Sequence, residues 1–347
     1  MIQRAKDAPR RGFEPPHELG HGLALFVAAA AARAIAALFA AQPAHGLAIP
    51  PWAPPLAPWL VSLGLSATRG HPWTGASVAI AAGALAAPAA AQLASGLYGP
   101  TAGRAAGWSV ALAPVLLAGA LMLDANVFAL AMLAALAAGT AWLRTPRRGS
   151  AFGAGLLCGV ASLAAMTGLL LAPLLLAWGW RPLGLTVRSR ERILQTTLLL
   201  MGAGVVLMPW LVPVVMVKQP WAPGQLFALL APLVPQWPPH AAARFAGMWG
   251  LHPLTLALAE AAWLLFAAWG VLRAMSGQRR WYQSLPFIAL VVLMLSGLTG
   301  NEPFRARLAF EPLLALLAGF GALSAQRSVQ LSRRGMRVVR EVRRDPD

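Results

Sequence analysis

One cysteine, Cys158, stands in 347 residues. That excludes an intrachain disulfide and any metal centre built on cysteine, and leaves Cys158 as a small apolar packing residue. Charge is also scarce: 11% of the residues are charged and 58% hydrophobic, against roughly 25% charged in a soluble domain. A soluble globular domain is excluded, and an all-α polytopic integral membrane protein is expected. Negative charge is the scarcest of all, with 11 Asp and Glu against 28 Lys and Arg, so each carboxylate can be weighed singly. No internal repeat of fixed period and no separate soluble domain are visible.

The net charge of +17 does not point to nucleic acid, because the arginines are divided among short segments and form no continuous aromatic-laced surface. Anionic phospholipid headgroups are the expected partners of that charge. A spanning helix needs about 20 mostly apolar residues. Runs of that kind lie near 21–42, 73–97, 104–122, 125–143, 193–216, 250–272, 283–299 and 308–326. The stretch from Ala151 to Trp180 is too short for two full crossings at about 1.5 Å per residue, yet basic segments flank both of its ends. Two short or tilted helices turning near Thr167 and Gly168 fit it, which makes about ten hydrophobic helices. The first run, Leu23 to Phe39, is longer than the apolar part of a secretory signal, about 7 to 15 residues, and contains Arg33, so an uncleaved span is expected.

Threading these runs in order places 22 of the 28 basic residues on one side. Positive charge is retained in the cytoplasm during insertion, so both termini are expected there. Three parts follow: a basic N-terminal segment 1–20, a membrane domain 21–326 and a basic tail 327–347. The outer segments of the domain are 42–72, 217–249 and 300–307. The first two are rich in Pro and Trp, which break helices and favour the headgroup region. They are expected to lie on the membrane surface.

Four carboxylates fall outside the cytoplasmic segments: Asp124, Glu260, Glu302 and Glu311. Asp124 lies in the turn Leu123 to Asn126, where Asp and Asn form turns and cap helices, or where a carboxylate can meet substrate. Arg33 and Glu260 each fall within a span, where an ionisable group needs a partner or a wet cavity, and the two are expected to approach each other. Arg305 and Arg307 stand on the side otherwise nearly free of positive charge. A planar guanidinium fork suits a lipid phosphate, while a salt bridge with Glu302 or Glu311 is the structural alternative. His45, His71, His240 and His252 show no metal-type spacing, so no metal ligands are assigned.

Several segments together resemble the bacterial branch of glycosyltransferase family 39, the GT-C type enzymes similar to dolichyl-phosphate-mannose protein mannosyltransferases and lipid A aminoarabinose transferases. The run from Arg305-Ala306-Arg307-Leu308 through Glu311-Pro312 to Gly319 resembles the family's ending, an R-[YF]-R-[LF]-P run with a proline-led leucine-rich span. Pro50 to Pro58 stands where members have R-P-P-G-Y-P. Gln92 to Arg104, with Leu97-Tyr98-Gly99, is similar to an A-R-R-L-F-G loop. Asp124 to Phe128, followed by Arg144 to Pro173, resembles the acid-led span, basic loop and hairpin. Pro209-Trp210 sits where the family has P-W-x-x-R-N.

The resemblance implies a GT-C-like bundle in a bacterial inner membrane, with surface loops on its outer, periplasmic face. It implies a polyprenyl-phosphate sugar as donor, an acceptor of unknown kind, and Arg305 and Arg307 on the leaving phosphate. It also allows a divalent cation. Two departures bear on activity. Members carry an acidic residue in the first outer loop, whereas 42–72 contains no Asp or Glu, leaving Asp124 and His45 as candidates for the missing base. The arginine of the hairpin's T-R-P is absent around Ala165-Met166-Thr167. Two other readings therefore stay open: an inactive relative that binds lipid-linked sugar or supports a partner enzyme, and a lipid flippase or transporter.

Overall fold

The computed structural model describes residues 16–39, 55–69, 74–179, 189–216, 254–276, 281–297 and 303–342, with side chains for most of them. His45, the loop 217–249 and the basic segment before Pro16 lie outside the described residues. Those described are helical, joined by short turns, with no strand among them.

Helix α1 (Pro16–Phe39) is followed by α2 (Leu56–Ala67), the short apolar piece expected after the proline-rich run. Helix α2 ends where the Thr68 N–H and hydroxyl both donate to the Gly64 carbonyl at 2.9 Å. Arg69 then turns the chain in the left-handed region at φ 53°. The Thr68 and Thr74 hydroxyls lie 2.6 Å apart and tie this turn to the start of α3 (Thr74–Tyr98). Helix α2 packs on α3, on α6 (Leu123–Arg144) and on α7 (Arg148–Ala164).

The span expected over 104–122 is not one helix. Gly99, at φ 99°, turns α3 into α4 (Pro100–Leu112), and the chain breaks again at Ala113 before α5 (Pro114–Ala118). The cause is local: a residue before proline is pushed out of the helical region, and Ala113 sits at ψ 121°. The expected hairpin is present. Helix α7 ends at Ala164, a 3₁₀ turn covers Met166–Leu170, and α8 (Leu171–Gly179) returns.

The remaining helices are α9 (Ser189–Met216), α10 (Leu254–Ser276), α11 (Leu285–Gly297) and α12 (Pro303–Val342). Helix α12 joins the last expected span to the tail without interruption, for 40 residues or about 60 Å. Among the described residues five helices are long and apolar enough to cross a membrane: Gly20–Ala37, Thr74–Tyr98, Leu123–Arg144, Glu191–Trp210 and Arg307–Gln330. The chain is thus a multi-pass helical membrane protein. The α6 and α12 stretches are 72% and 67% buried and form the centre, while the α1 stretch is 17% buried and lies at the edge. Leu23, Val27 and Ile35 of α1, Leu200 and Val205 of α9 and Leu265 of α10 are exposed. Apolar faces of this extent suit lipid rather than water.

Small residues bring the helices into backbone contact, as they do in membranes. A Cβ on Gly155 of α7 would strike the Leu199 carbonyl of α9, and one on Gly202 of α9 would strike the Phe152 carbonyl. Gly270 of α10 and Gly321 of α12 repeat this arrangement against the Leu317 and Phe266 carbonyls.

One end of the bundle is held by a polar belt. Arg144 donates to the Gly96 carbonyl at 2.9 Å, Arg148 pairs with Glu191 at 3.1 Å, and Trp142 donates to Gln195 at 2.9 Å. Arg327 donates to Thr101 and Arg273 to Ser328, each at 2.7 Å. These arginines come from separate parts of the sequence and meet at the same end, as the charge alternation requires. Within the belt, Tyr98 stacks on Phe320 and donates its hydroxyl proton to the Gln283 carbonyl at 2.6 Å. Tyr98→Phe is expected to cost about 1 kcal/mol, seen as a lowered unfolding midpoint in detergent. An unchanged midpoint would show that this bond adds nothing.

Candidate functional site

The opposite end is formed by the later part of α1, the start of α3, the turn between α5 and α6, and the start of α12. Its organising residue is Asn126, which is buried in the first turns of α6. The Asn126 amide donates to the carbonyls of Gly119, Ala120 and Met122 at 3.0, 3.1 and 3.0 Å, which closes the turn. Met122 occupies the helix-capping position and makes no side-chain cap. Asn126 thus closes the turn in which Asp124 is expected to act as turn former or cap. Asp124 is half-buried in the same first turn, where the helix dipole favours a negative charge.

Gly119 faces α12: a Cβ there would lie 2.6 Å from Leu308 Cδ1. The preceding residue, Arg307, is 1% exposed and Glu311 is 2% exposed. Arg307 Nε donates to Glu311 Oε2 at 3.2 Å, one helical turn away. The salt bridge considered from the sequence is present, and it neutralises a buried cation with a buried anion. Arg305 lies two residues earlier in the first turn of α12, and its side chain lies outside the described residues.

Arg33 is 0% exposed and sits about 9 Å before Phe39, the last described residue of α1. Its guanidinium lies over Gly83 of α3. A Cβ on Gly83 would lie 2.7 Å from Arg33 Nε and 2.7 Å from Asn126 Oδ1, so glycine makes the room in which the two side chains meet. Arg33 Nη1 donates to the Ala29 carbonyl at 3.5 Å, the limit of a hydrogen bond, while Nε and Nη2 have no partner among the described residues. The expected partner, Glu260, belongs to α10, which packs on α12; its side chain lies outside the described residues. Sequence reasoning singled out Arg33 but not Gly83, because one glycine in an Ala-rich span carries no signal of its own.

Among the described residues no three His, Cys, Asp or Glu side chains cluster closely enough to hold a metal ion. Among the described residues this end carries two buried guanidiniums, Arg307 paired with Glu311 and Arg33 without a described carboxylate, and the half-buried Asp124. Such an arrangement suits an oxyanion at the edge of an apolar bundle.

No protein-family model and no curated protein matches the chain. Solved structures do. ArnT from Cupriavidus metallidurans bound to undecaprenyl phosphate superposes with a TM-score of 0.62 at 18% identity, over 93% of this chain and 62% of that one. The Archaeoglobus fulgidus oligosaccharyltransferase in complex with Zn and sulfate gives 0.57 at 14%, over 90% and 46%. The archaeal oligosaccharyltransferase AglB from Archaeoglobus fulgidus, with an inhibitory peptide and a dolichol-phosphate, gives 0.54 at 14%, over 92% and 48%. The chain thus spans only about half to three fifths of the length of these structures. Nearly all of it is accounted for by one architecture, and that architecture is the GT-C fold.

Proposed function

We propose that this chain is a membrane glycosyltransferase-like protein that takes a polyprenyl-phosphate-linked sugar as donor at the periplasmic face of a bacterial inner membrane. The observation that carries the reading is the fold itself, shared with proteins solved with undecaprenyl phosphate and dolichol-phosphate. The positions of Arg33 on α1, Asp124 on α6 and Arg305 and Arg307 on α12, towards one end of the bundle, support it. In this reading about ten hydrophobic helices form the bundle, the arginine belt faces the cytoplasm with both termini, and α2 covers the outer end.

The reaction is an inverting displacement. A nucleophilic group of the acceptor bonds to the anomeric carbon, the bond from that carbon to the phosphate oxygen breaks, and polyprenyl phosphate leaves with the electron pair. The acceptor's proton passes to a base, with Asp124 as first candidate and His45 as second. Cations on the leaving phosphate stabilise its developing charge, and Arg305, in the first turn of α12, is the candidate for that role.

A second reading is an inactive relative that binds lipid-linked sugar or supports a partner enzyme. It is favoured by the first outer loop, which carries no acidic residue, and by Glu311, which already neutralises Arg307. Full-length protein in nanodiscs, given radiolabelled polyprenyl-phosphate sugars and a periplasmic extract, separates the two. For an enzyme, transfer or release of sugar is expected in the wild type and at least a ~100-fold loss in Asp124→Asn and Arg305→Ala, the scale of losing one charged catalytic contact. Lipid binding without turnover establishes the inactive relative, and absence of both refutes the donor assignment.

A further inference from the structure

Two arginines near the same end of the bundle are buried to the same degree, and the chain treats them differently. Arg307 has Glu311 at 3.2 Å. Arg33 has a single limiting bond to Ala29, and no carboxylate among the described residues pairs with it. Its two unpartnered donors, Nε and Nη2, lie on one edge of the guanidinium, the edge that takes two oxygens of an oxyanion side by side. Burying a cation costs folding free energy unless an anion meets it, and an oxyanion on these two donors would be such a partner.

From this contrast we propose that Arg33 is the phosphate-gripping residue of this protein, while Arg307 serves the fold through its pair with Glu311. The inference rests on the functional reading above and deepens it: the cation on the lipid phosphate lies on α1, not only at the start of α12. Three features support it. Gly83 lets the guanidinium lie close against α3, where a Cβ would come within 2.7 Å of Nε. The three bonds of the Asn126 amide hold the neighbouring wall in place. Helix α1 is the least buried of the long helices and exposes Leu23, Val27 and Ile35, so one helix separates Arg33 from lipid. The phosphate can belong to a polyprenyl phosphate or to an ordinary phospholipid headgroup, and the edge of the guanidinium recognises both.

The test is binding and thermal unfolding of the full chain in phosphatidylcholine nanodiscs, with undecaprenyl phosphate, undecaprenol, phosphatidic acid or inorganic phosphate added. Undecaprenyl phosphate is expected to raise the unfolding temperature of the wild type, and undecaprenol to leave it unchanged. Arg33→Met is expected to lose at least ~10-fold in affinity while unfolding, without ligand, at the wild-type temperature or above, since a purely structural arginine would leave the opposite mark. Arg33→Lys keeps the charge but not the fork and should fall between. Gly83→Ala crowds Nε and should weaken phosphate binding with Arg33 intact, so the proposal stays testable if Arg33→Met does not fold.

Wild-type affinity in both Arg33→Met and Gly83→Ala overturns it. So does an equal loss of stability in Arg33→Met and Glu260→Gln with phosphate affinity kept, because that is the behaviour of an internal ion pair. A wild type that responds to none of the phosphates overturns it as well. A response through Arg33 to phosphatidic acid or inorganic phosphate alone upholds the site and removes the polyprenyl donor. Binding of undecaprenyl phosphate through Arg33 without sugar transfer upholds the site and refutes only the enzyme.

Discussion

Replacing Glu311 by alanine is expected to destabilise the protein by about 3–5 kcal/mol, because it removes the carboxylate paired with a buried guanidinium. Arg307 is 1% exposed and donates to Glu311 across one helical turn, in a stretch of α12 that is packed on nearly every side. Leu308, Phe310 and Leu313 around the pair are also buried, so neither water nor a lipid headgroup can easily replace the lost carboxylate. The pair itself need not be a large source of stability, since taking two charges out of water nearly cancels their attraction. Replacing both, as in Arg307→Met with Glu311→Leu, should therefore recover most of what the single variant loses. Thermal unfolding of the three proteins in one detergent measures this. A single variant within about 0.5 kcal/mol of wild type, the scale of a neutral surface change, would show that the pair is not buried in the folded protein.

The second large effect is expected at the helix crossings. Gly202→Leu should cost about 3 kcal/mol, at the upper end of overpacking, because its Cβ meets the backbone of α7 at the Phe152 carbonyl and lies 2.9 Å from the Leu156 nitrogen. Flexible side chains can move aside, but the backbones of two helices cannot without separating. Gly204→Leu, two residues along the same helix, meets nothing within 4 Å and is the control. It should be neutral or slightly stabilising, since glycine is a poor helix former. Equal losses at the two positions would mean that helix propensity, not contact between α7 and α9, governs the effect. Gly321→Leu in α12, against the Phe266 carbonyl, should behave like Gly202→Leu.

Much of the architecture was legible in the sequence because a bilayer imposes a simple rule: every span is about 20 apolar residues, and positive charge collects on one side. The break at Thr167-Gly168 followed from length together with the basic segments at both ends, and the short apolar piece at Trp59 to Thr68 from its prolines and its shortness. The break at Ala113 was present as Ala113-Pro114, yet a single proline in an apolar run can either kink a span or end it, and only packing distinguishes the two. The continuity of α12 through Arg327 was hidden because hydropathy falls there while helix propensity does not.

At the site the division falls differently. Scarcity alone marked Arg33, Asp124, Arg305, Arg307 and Glu311, because in so apolar a chain every charge needs a reason. The tertiary structure decided their roles. It gave Glu311 to Arg307, since the two lie one turn apart on one helix. It set Gly83 beneath Arg33, since α1 and α3 cross at that level, and it made Asn126 the fastener of the α5–α6 turn. A charged residue declares in the sequence that it needs a partner; which group lies within reach depends on how helices far apart in the chain are packed, and that is a property of three dimensions alone.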